Sequence, residues 1–486
     1  MATAENFDVI IIGAGPAGIF TALELIEKTR DMNGTGVDIK IGIFEKGKIL
    51  DKRKCYRSEN GCKHCKTCSI MCGWGGSGAF SDGKLTLSTE IGGWLEDYVG
   101  NERLAKLMEK VKNYWIRFGA SEKRILDLEK NASEIAEYRR KALLKGIDLI
   151  PFKVMHIGTD GSIAILKAMY EHLTENGIQI FFNTPIENVL VTEEGKVKGI
   201  VTGDNREYRA EYVVAATGRE GADWLREKAS NLGLRLVNNP VDIGVRVELP
   251  AELSQQLTDL LYEFKCRFYS PTFDQLVRTF CVCPKGEVTM ENTSGGGVGD
   301  RIITVNGHSY AEEEKQTKNT NFAILVTSEF TEPFKDPIAF GKSIAKLANL
   351  LSDDSVIIQR LVDLKKGRRS TPARLLRTNT LPTLQGAVPG DLSFVLPYRH
   401  LKSILEFIEA LDETIIPGVN SNHTLLYGVE AKFYSSRIDL TKELETAIKG
   451  LYAIGDGSGV TRSLSQASAS GMIVGETIAK NLIQKK

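Results

Sequence analysis

The chain has 486 residues, of which 42% are hydrophobic, and its 62 lysines and arginines balance 62 aspartates and glutamates. A chain of this length is too long to fold around one hydrophobic core, so we expect two or three domains. The balanced charge excludes a global field that would attract nucleic acid or an anionic membrane, although it leaves room for local patches. The first apolar stretch stops at Gly13, which is too short for an export signal or a membrane span, so we expect a soluble, cytoplasmic protein.

The first predicted elements are a strand, a glycine turn and a helix, in the stretch FDVIIIGAGPAGIFTALELIEK. Residues 9–12 are continuously apolar, as in a strand buried on both faces of a parallel sheet. The turn has the spacing G-x-G-x-x-G, and the helical pattern runs from Pro16 to about Lys28. A pyrophosphate would lie at this helix N-terminus, where free N–H groups and the helix dipole favour anions. The next strand ends in Glu45, which is placed to take the ribose hydroxyls, so the segment predicts a dinucleotide site.

A run of cysteines comes next, at Cys55, Cys62, Cys65, Cys68 and Cys72. The last four have the spacing of a four-iron ferredoxin cluster, although a glycine stands where that run has a proline, and no second run exists. The spacing also suits structural zinc or a redox dithiol, and a further alternative is a set of small buried residues. The five cysteines are therefore candidate metal ligands, with a 4Fe-4S cluster, zinc and no metal all left open.

The cysteines run directly into a glycine-rich stretch, GWGGSGAFSDGKL. Gly75 and Gly76 permit a close backbone approach to a cofactor, and Ser81, Asp82 and Lys84 offer hydrogen bonds and charge. The alternative is a plain glycine-rich connection.

The middle of the chain predicts three further parts. Residues 96–150 carry apolar residues at helical spacing in a charged background, which indicates a surface helical insertion. Alternating strands then predict a small β-meander, which ends in the sequence AATG at Thr217 and Gly218. Residues 241–424 mix strand-like runs with helices and predict an α+β substrate or cap domain.

The last segment, LYAIGDGSG, predicts a strand that ends in Gly455 and Asp456. A helix with small residues, among them Ser468 and Gly471, follows it. The small residues permit a close backbone approach at the start of this helix.

Four motifs together, GAGPAG, Glu45, AATGREG and AIGDGSG, resemble the glutathione-reductase-type FAD-binding fold. Within that fold the chain is similar to the FAD-dependent dehydrogenases, which are related to geranylgeranyl-reductase and fumarate-reductase-like flavoproteins. The resemblance implies an α/β, Rossmann-like FAD-binding fold with a β-meander and an inserted α+β substrate or cap domain. The FAD-binding domain would be discontinuous, with bounds at 1–95, 151–240 and 425–486.

The resemblance also implies roles for individual residues. Asp456 would hold the ribityl or pyrophosphate part of FAD, and the glycine loop would wrap the pyrophosphate and the isoalloxazine ring. The expected cofactor-binding residues are Gly13, Gly15, Pro16, Ala17, Gly18, Glu45, Gly75, Gly76, Ser81, Asp82, Lys84, Thr217, Gly218, Gly455, Asp456, Ser468 and Gly471.

Six side chains are candidates for the substrate side of the flavin. Binding an anionic substrate or stabilising reduced flavin is the role considered for Arg246, Lys432, Tyr434 and Arg437. Tyr398 and His400 are candidate proton donors.

The expected function is an FAD-dependent oxidoreductase that acts on a small organic substrate, with an iron–sulfur cluster beside the flavin as one reading of the cysteines. Electrons would come through the cysteine site, an electron-donor protein or NAD(P)H. The alternative is a flavin and iron–sulfur electron-transfer component without a substrate of its own. A large second domain disfavours a third class, a flavin-binding sensor.

Overall fold

The structure is a computed structural model. It describes residues 5–29, 37–56, 65–80, 83–292, 302–310, 313–330, 334, 336–432 and 436–485. Its strands are β1 Glu5–Ile12, β2 Ile41–Phe44, β3 Lys84–Thr86, β4 Ile147–Ile150, β5 Val154–His156, β6 Gln179–Phe181, β7 Ile186–Val191, β8 Val197–Thr202, β9 Glu207–Ala215, β10 Leu236–Val237, β11 Val241–Pro250, β12 Lys265–Ser270, β13 Gln275–Cys283, β14 Glu287–Asn292, β15 Ile303–His308, β16 Asn319–Ser328, β17 Ile357–Arg360, β18 Val388–Pro389, β19 Leu425–Lys432, β20 Arg437–Ile438 and β21 Leu451–Ala453.

The α-helices lie between these strands and after the last one. They are α1 Pro16–Thr29, α2 Glu96–Val99, α3 Asn101–Arg117, α4 Ala132–Leu143, α5 Thr159–Glu175, α6 Ala222–Asn231, α7 Gln255–Leu261, α8 Pro337–Leu351, α9 Leu361–Lys365, α10 Pro372–Leu375, α11 Tyr398–Asp412 and α12 Leu464–Lys485. Among the described residues, no helix is long and apolar enough to cross a bilayer.

The chain divides into two compact units. Unit 1 comprises Met1–Ile125, Val154–Val237 and Ser435–Lys486, and unit 2 comprises Leu126–Lys153 and Asn238–Tyr434. Both units mix helices with sheets, which confirms the α/β class expected from the sequence.

Unit 1 is built on a seven-stranded sheet in the order β6-β2-β1-β9-β8-β7, in which β21 also pairs with β9. β1 runs parallel to β2 and β9, whereas β7, β8 and β9 form an antiparallel meander. The Val- and Ile-rich β1 lies at the centre of the sheet because its side chains are buried on both faces, as the sequence pattern predicts. The meander between α5 and the AATG sequence is likewise confirmed.

Helices α1, α3 and α12 pack together on the face of the sheet that carries Val9 and Ile11 of β1. A Cβ on Gly471 or Gly475 of α12 would collide with the backbone of Ala17 or Thr21 on α1, so the two helices approach as closely as only glycine permits. The apolar face of α3 adds buried side chains to the same core, among them Leu104 and Trp115.

Unit 2 is built on an eight-stranded sheet in the order β18-β17-β19-β11-β16-β13-β12-β4. Its two central pairings, β11 with β16 and β11 with β19, are antiparallel. The core packs α11 side chains such as Phe407 against strand residues such as Phe268, whose ring stacks on that of Phe407 at 5.2 Å.

The bounds of the two units differ from the domain bounds expected from the sequence. Instead of forming a surface insertion, α3 belongs to the core of unit 1, because its buried stripe packs beside α12. Residues 126–153 belong to unit 2, because β4 is the edge partner of β12 there. Residues 425–432 also belong to unit 2, since they form β19 and pair with β11 rather than starting the last FAD-binding segment.

Candidate functional site

The glycine turn between β1 and α1 forms a backbone cradle in unit 1. Gly13 has φ +106°, and a Cβ there would overlap the carbonyl oxygen of Ala216, so only glycine fits. The backbone N–H groups of Gly15, Ala17 and Gly18 donate no hydrogen bond to any described residue. These groups are the open donors of the first turn of a helix, which is the arrangement that binds phosphate oxygens.

Glu45 joins three parts of this site through its carboxylate. The carboxylate accepts hydrogen bonds from the backbone N–H groups of Ala14 at 2.9 Å, Gly47 at 2.7 Å and Gly73 at 2.9 Å. The side chain is buried at the end of β2. A carboxylate has about four acceptor positions, so three amides leave capacity for one further donor. Its contact with a ribose stays a prediction.

The glycine loop lies directly over the turn. Gly75 donates its N–H to the carbonyl of Ala14 at 2.8 Å, and a Cβ on Gly76 would come within 3.1 Å of the Gly15 Cα. Gly75 and Gly76 have φ values of +82° and +61°, which side chains rarely adopt. The close approach expected of the loop is therefore present. Two expected contributors, Ser81 and Asp82, lie outside the described residues, and the third, Lys84, is in β3, which pairs with β5.

Arg53 holds this loop in place, and sequence reasoning missed it. Its guanidinium donates to the carbonyls of Ser69 at 2.9 Å, Ile70 at 2.7 Å, Trp74 at 2.5 Å and Gly76 at 2.9 Å. The side chain is buried, and burial lowers the pKa of Arg53 to about 10. No local pattern marks this residue, because its partners are main-chain groups of a loop some twenty positions later in the chain.

The cysteines differ strongly in their environments. Cys55 and Cys65 are exposed, Cys68 is intermediate, and Cys72 is buried beside the loop. Burial raises the pKa of the Cys72 thiol to about 12, so this thiol is protonated at neutral pH in the form described. Cys62 lies outside the described residues. In the part of the chain that the structure describes, no group of three or more His, Cys, Asp or Glu side chains is placed to hold a metal ion.

The AATG sequence, which ends at Gly218, and the segment that contains Gly455 and Asp456 are in contact within unit 1. A Cβ on Gly457 would come within 2.6 Å of the carbonyl oxygen of Gly218 and of the Thr217 hydroxyl. Asp456 accepts a hydrogen bond from the Thr461 hydroxyl at 2.8 Å and lies 3.8 Å from the Arg219 guanidinium. Burial raises the pKa of Asp456, while Arg219 and Thr461 oppose that rise.

The start of α12 completes this arrangement. Gly455 has φ +72° and donates its N–H to the Ser470 hydroxyl at 3.2 Å, and Gly471 lies against Ala17 of α1. The Ser468 hydroxyl is fully buried and has no hydrogen-bond partner among the described residues. The expected residues Gly13 to Gly18, Glu45, Gly75, Gly76, Thr217, Gly218, Gly455, Asp456 and Gly471 are thus brought together.

A cation–aromatic group that sequence reasoning missed lies beside the same helix start. The Arg462 guanidinium lies 3.7 Å from the centroid of the Trp94 ring. The backbone N–H of Trp94 donates to the Val460 carbonyl at 2.9 Å. The candidate Arg437 lies 5.9 Å from the same ring and 3.5 Å from the carboxylate of Asp97. Arg437 is therefore the substrate-side candidate that the structure places within unit 1 near the expected cofactor residues.

Arg246 and Lys432 lie in a buried charge network inside unit 2. The Arg246 guanidinium donates to the Glu430 carboxylate at 2.8 and 3.1 Å, to the Asn321 side-chain oxygen at 2.7 Å and to the Cys281 carbonyl at 2.7 Å. The ammonium of Lys432 lies 3.2 Å from the same Glu430 carboxylate. Arg246 and Glu430 have no exposed surface, so the charge of this arginine is compensated inside unit 2, and its contact with a substrate stays a prediction.

The two candidate proton donors differ in their exposure to solvent. Tyr398 is exposed at the start of α11, whereas His400 is buried and hydrogen-bonds the Ser328 hydroxyl at 2.9 Å. Burial lowers the pKa of His400 to about 4, so the ring is neutral at neutral pH. The remaining candidate, Tyr434, lies outside the described residues. A role in catalysis for these side chains stays a prediction.

Residues 240–433 match the model of a family described as "FAD-dependent protein, C-terminal domain-like". This match covers almost all of the larger segment of unit 2. This segment of the chain is therefore similar to the C-terminal domain of FAD-dependent proteins.

The chain is similar to one further relative and to several solved structures, all at low sequence identity. A protein from Clostridium beijerinckii named "Uncharacterized protein" is 26% identical, over 96% of this chain and 80% of its own length. A quinol fumarate reductase chain of E. coli has a TM-score of 0.41 at 15% identity, covering 99% of this chain and 71% of that chain. A 3-ketosteroid-delta4-(5alpha)-dehydrogenase from Rhodococcus jostii has a TM-score of 0.38 at 14% identity, covering 99% and 98%.

Proposed function

We propose that the protein is an FAD-dependent oxidoreductase, a dehydrogenase or reductase of a small organic substrate, and that it holds FAD in unit 1. The observation that carries the proposal is the convergence of distant segments on one glycine turn. The turn itself, the end of β2, the glycine loop, the AATG sequence and the Gly-Asp segment come from the start, middle and end of the chain. A structural glycine turn would need none of the other four.

The chain's own groups fit the parts of FAD by their chemistry. The open N–H groups of Gly15, Ala17 and Gly18 suit the pyrophosphate, since they are uncompensated donors at a helix N-terminus. Glu45 suits a ribose hydroxyl with its remaining acceptor capacity, and Asp456 suits the ribityl hydroxyls. FAD, when bound, supplies hydride and electron transfer, while these residues bind and orient it.

The substrate side is proposed to include Arg437. This arginine is partly buried, and Asp97, its carboxylate partner, is largely exposed to solvent. An exposed ion pair contributes little to stability, so exchange of Asp97 for an anionic substrate group costs little. Arg437→Gln is then expected to raise the KM for the substrate without changing the FAD content. Arg235→Gln, which removes a largely exposed arginine paired to Asp439, is the matched control.

A metal at the cysteine run is a separate, finer proposal. A four-iron cluster is held by thiolates, and metal binding releases the thiol protons, so the raised pKa of the buried Cys72 does not exclude it as a ligand. The proposed ligands are Cys62, Cys65 and Cys68 together with either Cys55 or Cys72. The test is iron and zinc analysis of protein purified without oxygen, compared with Cys65→Ser. About four irons per chain in the parent protein, and loss of iron in the variant, support a cluster.

One experiment tests the oxidoreductase against the electron-transfer alternative. The protein is purified anaerobically, its FAD content is measured, and small organic substrates are added while the flavin absorption is followed. Reduction or reoxidation of the flavin by a small substrate without a second protein supports the proposal. Flavin that exchanges electrons only with a protein carrier supports the alternative, and protein that binds no FAD refutes both.

A further inference from the structure

The segment from residue 364 to residue 390 contains no acidic residue, although the whole chain is neutral. We name residues 365–381 the basic loop, which includes the short helix α10 in unit 2. Its cations are Lys365, Lys366, Arg368, Arg369, Arg374 and Arg377. Such a concentration produces a local positive field that the net charge of the chain conceals.

Most of these cations have no acidic partner. Arg368 is paired with Asp363 at 2.8 Å, and Lys365 lies 3.4 Å from Glu409. The other four, Lys366, Arg369, Arg374 and Arg377, form no ion pair with any residue that the structure describes. The unpaired cations therefore remain available to an external anion.

Two leucines project from the same loop into water. The side chain of Leu376 is 87% exposed and that of Leu381 is 76% exposed. Single exposed leucines are common on proteins, but here Leu376 lies between Arg374 and Arg377 in the sequence, and Leu381 follows four residues after Arg377. Their exposure leaves apolar surface that is buried only when something covers the loop.

The backbone of the loop is nevertheless fixed. Asn379 donates its N–H to the His423 ring at 3.2 Å, and the Asn319 side chain donates to the Leu381 carbonyl at 2.7 Å. The Thr371 hydroxyl caps α10 by accepting from the Arg374 N–H. The leucines are thus presented on an anchored loop, which reduces the ordering cost of docking.

We infer that the basic loop docks the protein on an anionic lipid surface. Interfacial binding combines apolar side chains that enter the headgroup region with cations that attract anionic headgroups, and the basic loop has both. The segment itself carries no carboxylate that an anionic surface would repel, and the two carboxylates beside it, Asp363 and Glu409, are paired with Arg368 and Lys365. This inference is independent of the reaction that the flavin carries out.

The test uses the full-length protein and sedimentation with vesicles. One set is phosphatidylcholine alone, and the other contains equal parts of phosphatidylcholine and phosphatidylglycerol. We expect binding to the anionic vesicles that weakens as salt is raised, and little binding to the neutral ones. Leu376→Ser with Leu381→Ser is expected to weaken binding by about tenfold per leucine. Arg369→Gln with Arg377→Gln is expected to weaken it by about fivefold per charge.

Matched controls separate the loop from general surface properties. Leu350→Ser removes a leucine on α8 that is 77% exposed, and Arg235→Gln removes an exposed arginine of unit 1; both are expected to bind as the parent protein does. Unchanged flavin absorption and melting temperature show that each variant is folded. Equal binding to both vesicle types, or loop variants that bind as tightly as the parent, overturns the inference. Binding to polyglutamate but not to vesicles also overturns it and indicates an acidic protein partner.

Discussion

Replacing Gly15 by alanine separates the binding of FAD from the stability of the fold. The nearest atom to a Cβ at this position is the Gly76 Cα at 3.9 Å, which is ordinary van der Waals contact, and the backbone of Gly15 is not left-handed. The variant without cofactor should therefore keep the unfolding free energy of the parent within about 1 kcal/mol. The new methyl group would occupy the space in which phosphate oxygens approach the turn.

The expected loss of affinity follows from the donors that the methyl group screens. A hydrogen bond to a charged group contributes about 1.5–3 kcal/mol, and displacing the pyrophosphate weakens one or two of them. A loss of about 3 kcal/mol corresponds to a dissociation constant for FAD that is raised roughly 100-fold. The assay is titration of the apoprotein with FAD by fluorescence, with urea unfolding of the same sample.

Gly13→Ala is the matched comparison, since its Cβ would overlap the Ala216 carbonyl and its φ of +106° is unfavourable for alanine. We expect this variant to lose both FAD affinity and several kcal/mol of unfolding free energy, on the order of 3. If Gly15→Ala bound FAD as tightly as the parent protein, the glycine turn would not be the pyrophosphate site.

Three further changes test the packing and charge arguments. Arg53→Lys keeps the charge but cannot reach the same four carbonyls, so we expect about 2–3 kcal/mol less unfolding free energy in urea and faster loss of FAD; unchanged values would contradict its role in holding the loop. Burial lowers the pKa of His400 from the ordinary 6.5 to about 4. Between these two pH values the unfolded chain binds a proton that the folded chain does not, so the free energy of unfolding decreases as the pH falls from 6.5 towards 4. The free energy of unfolding should decrease by about 2 kcal/mol between pH 7 and pH 5. Urea unfolding curves should show a smaller decrease for His400→Gln than for the parent protein, and equal decreases would refute the lowered pKa of His400. Glu430→Gln leaves the buried Arg246 without its carboxylate and should cost about 3–5 kcal/mol in a thermal melt, whereas a neutral effect would show that the network relaxes.

The sequence predicts the parts of unit 1 whose signals are local. The glycine spacing, the apolar β1 and the acid at the end of β2 lie within a short stretch, and backbone geometry alone links them. The structure confirms the helix of α1 and the β-meander for the same reason.

Long-range packing explains what the sequence could not predict. The charged residues of α3 suggest a surface insertion, but the buried stripe through Leu104 and Trp115 packs in one core with α1 and α12, which lie early and late in the chain. Arg53 is a similar case, since its carbonyl partners carry no side-chain signal. Arg246 resembles a ligand-binding arginine in sequence, and only the pairing of β11 with β19 places Glu430 beside it.

The close contact of α1 with α12 has a consequence for biosynthesis. Unit 2 is fully translated once Tyr434 has been added, and α1 can by then pack on α3, but its close contact with α12 forms only after Gly471 and Gly475 leave the ribosome. The core around α1 is therefore complete only after more than four hundred further residues have been made. We expect the nascent chain to need a chaperone during this interval, and cofactor loading to be a post-translational event.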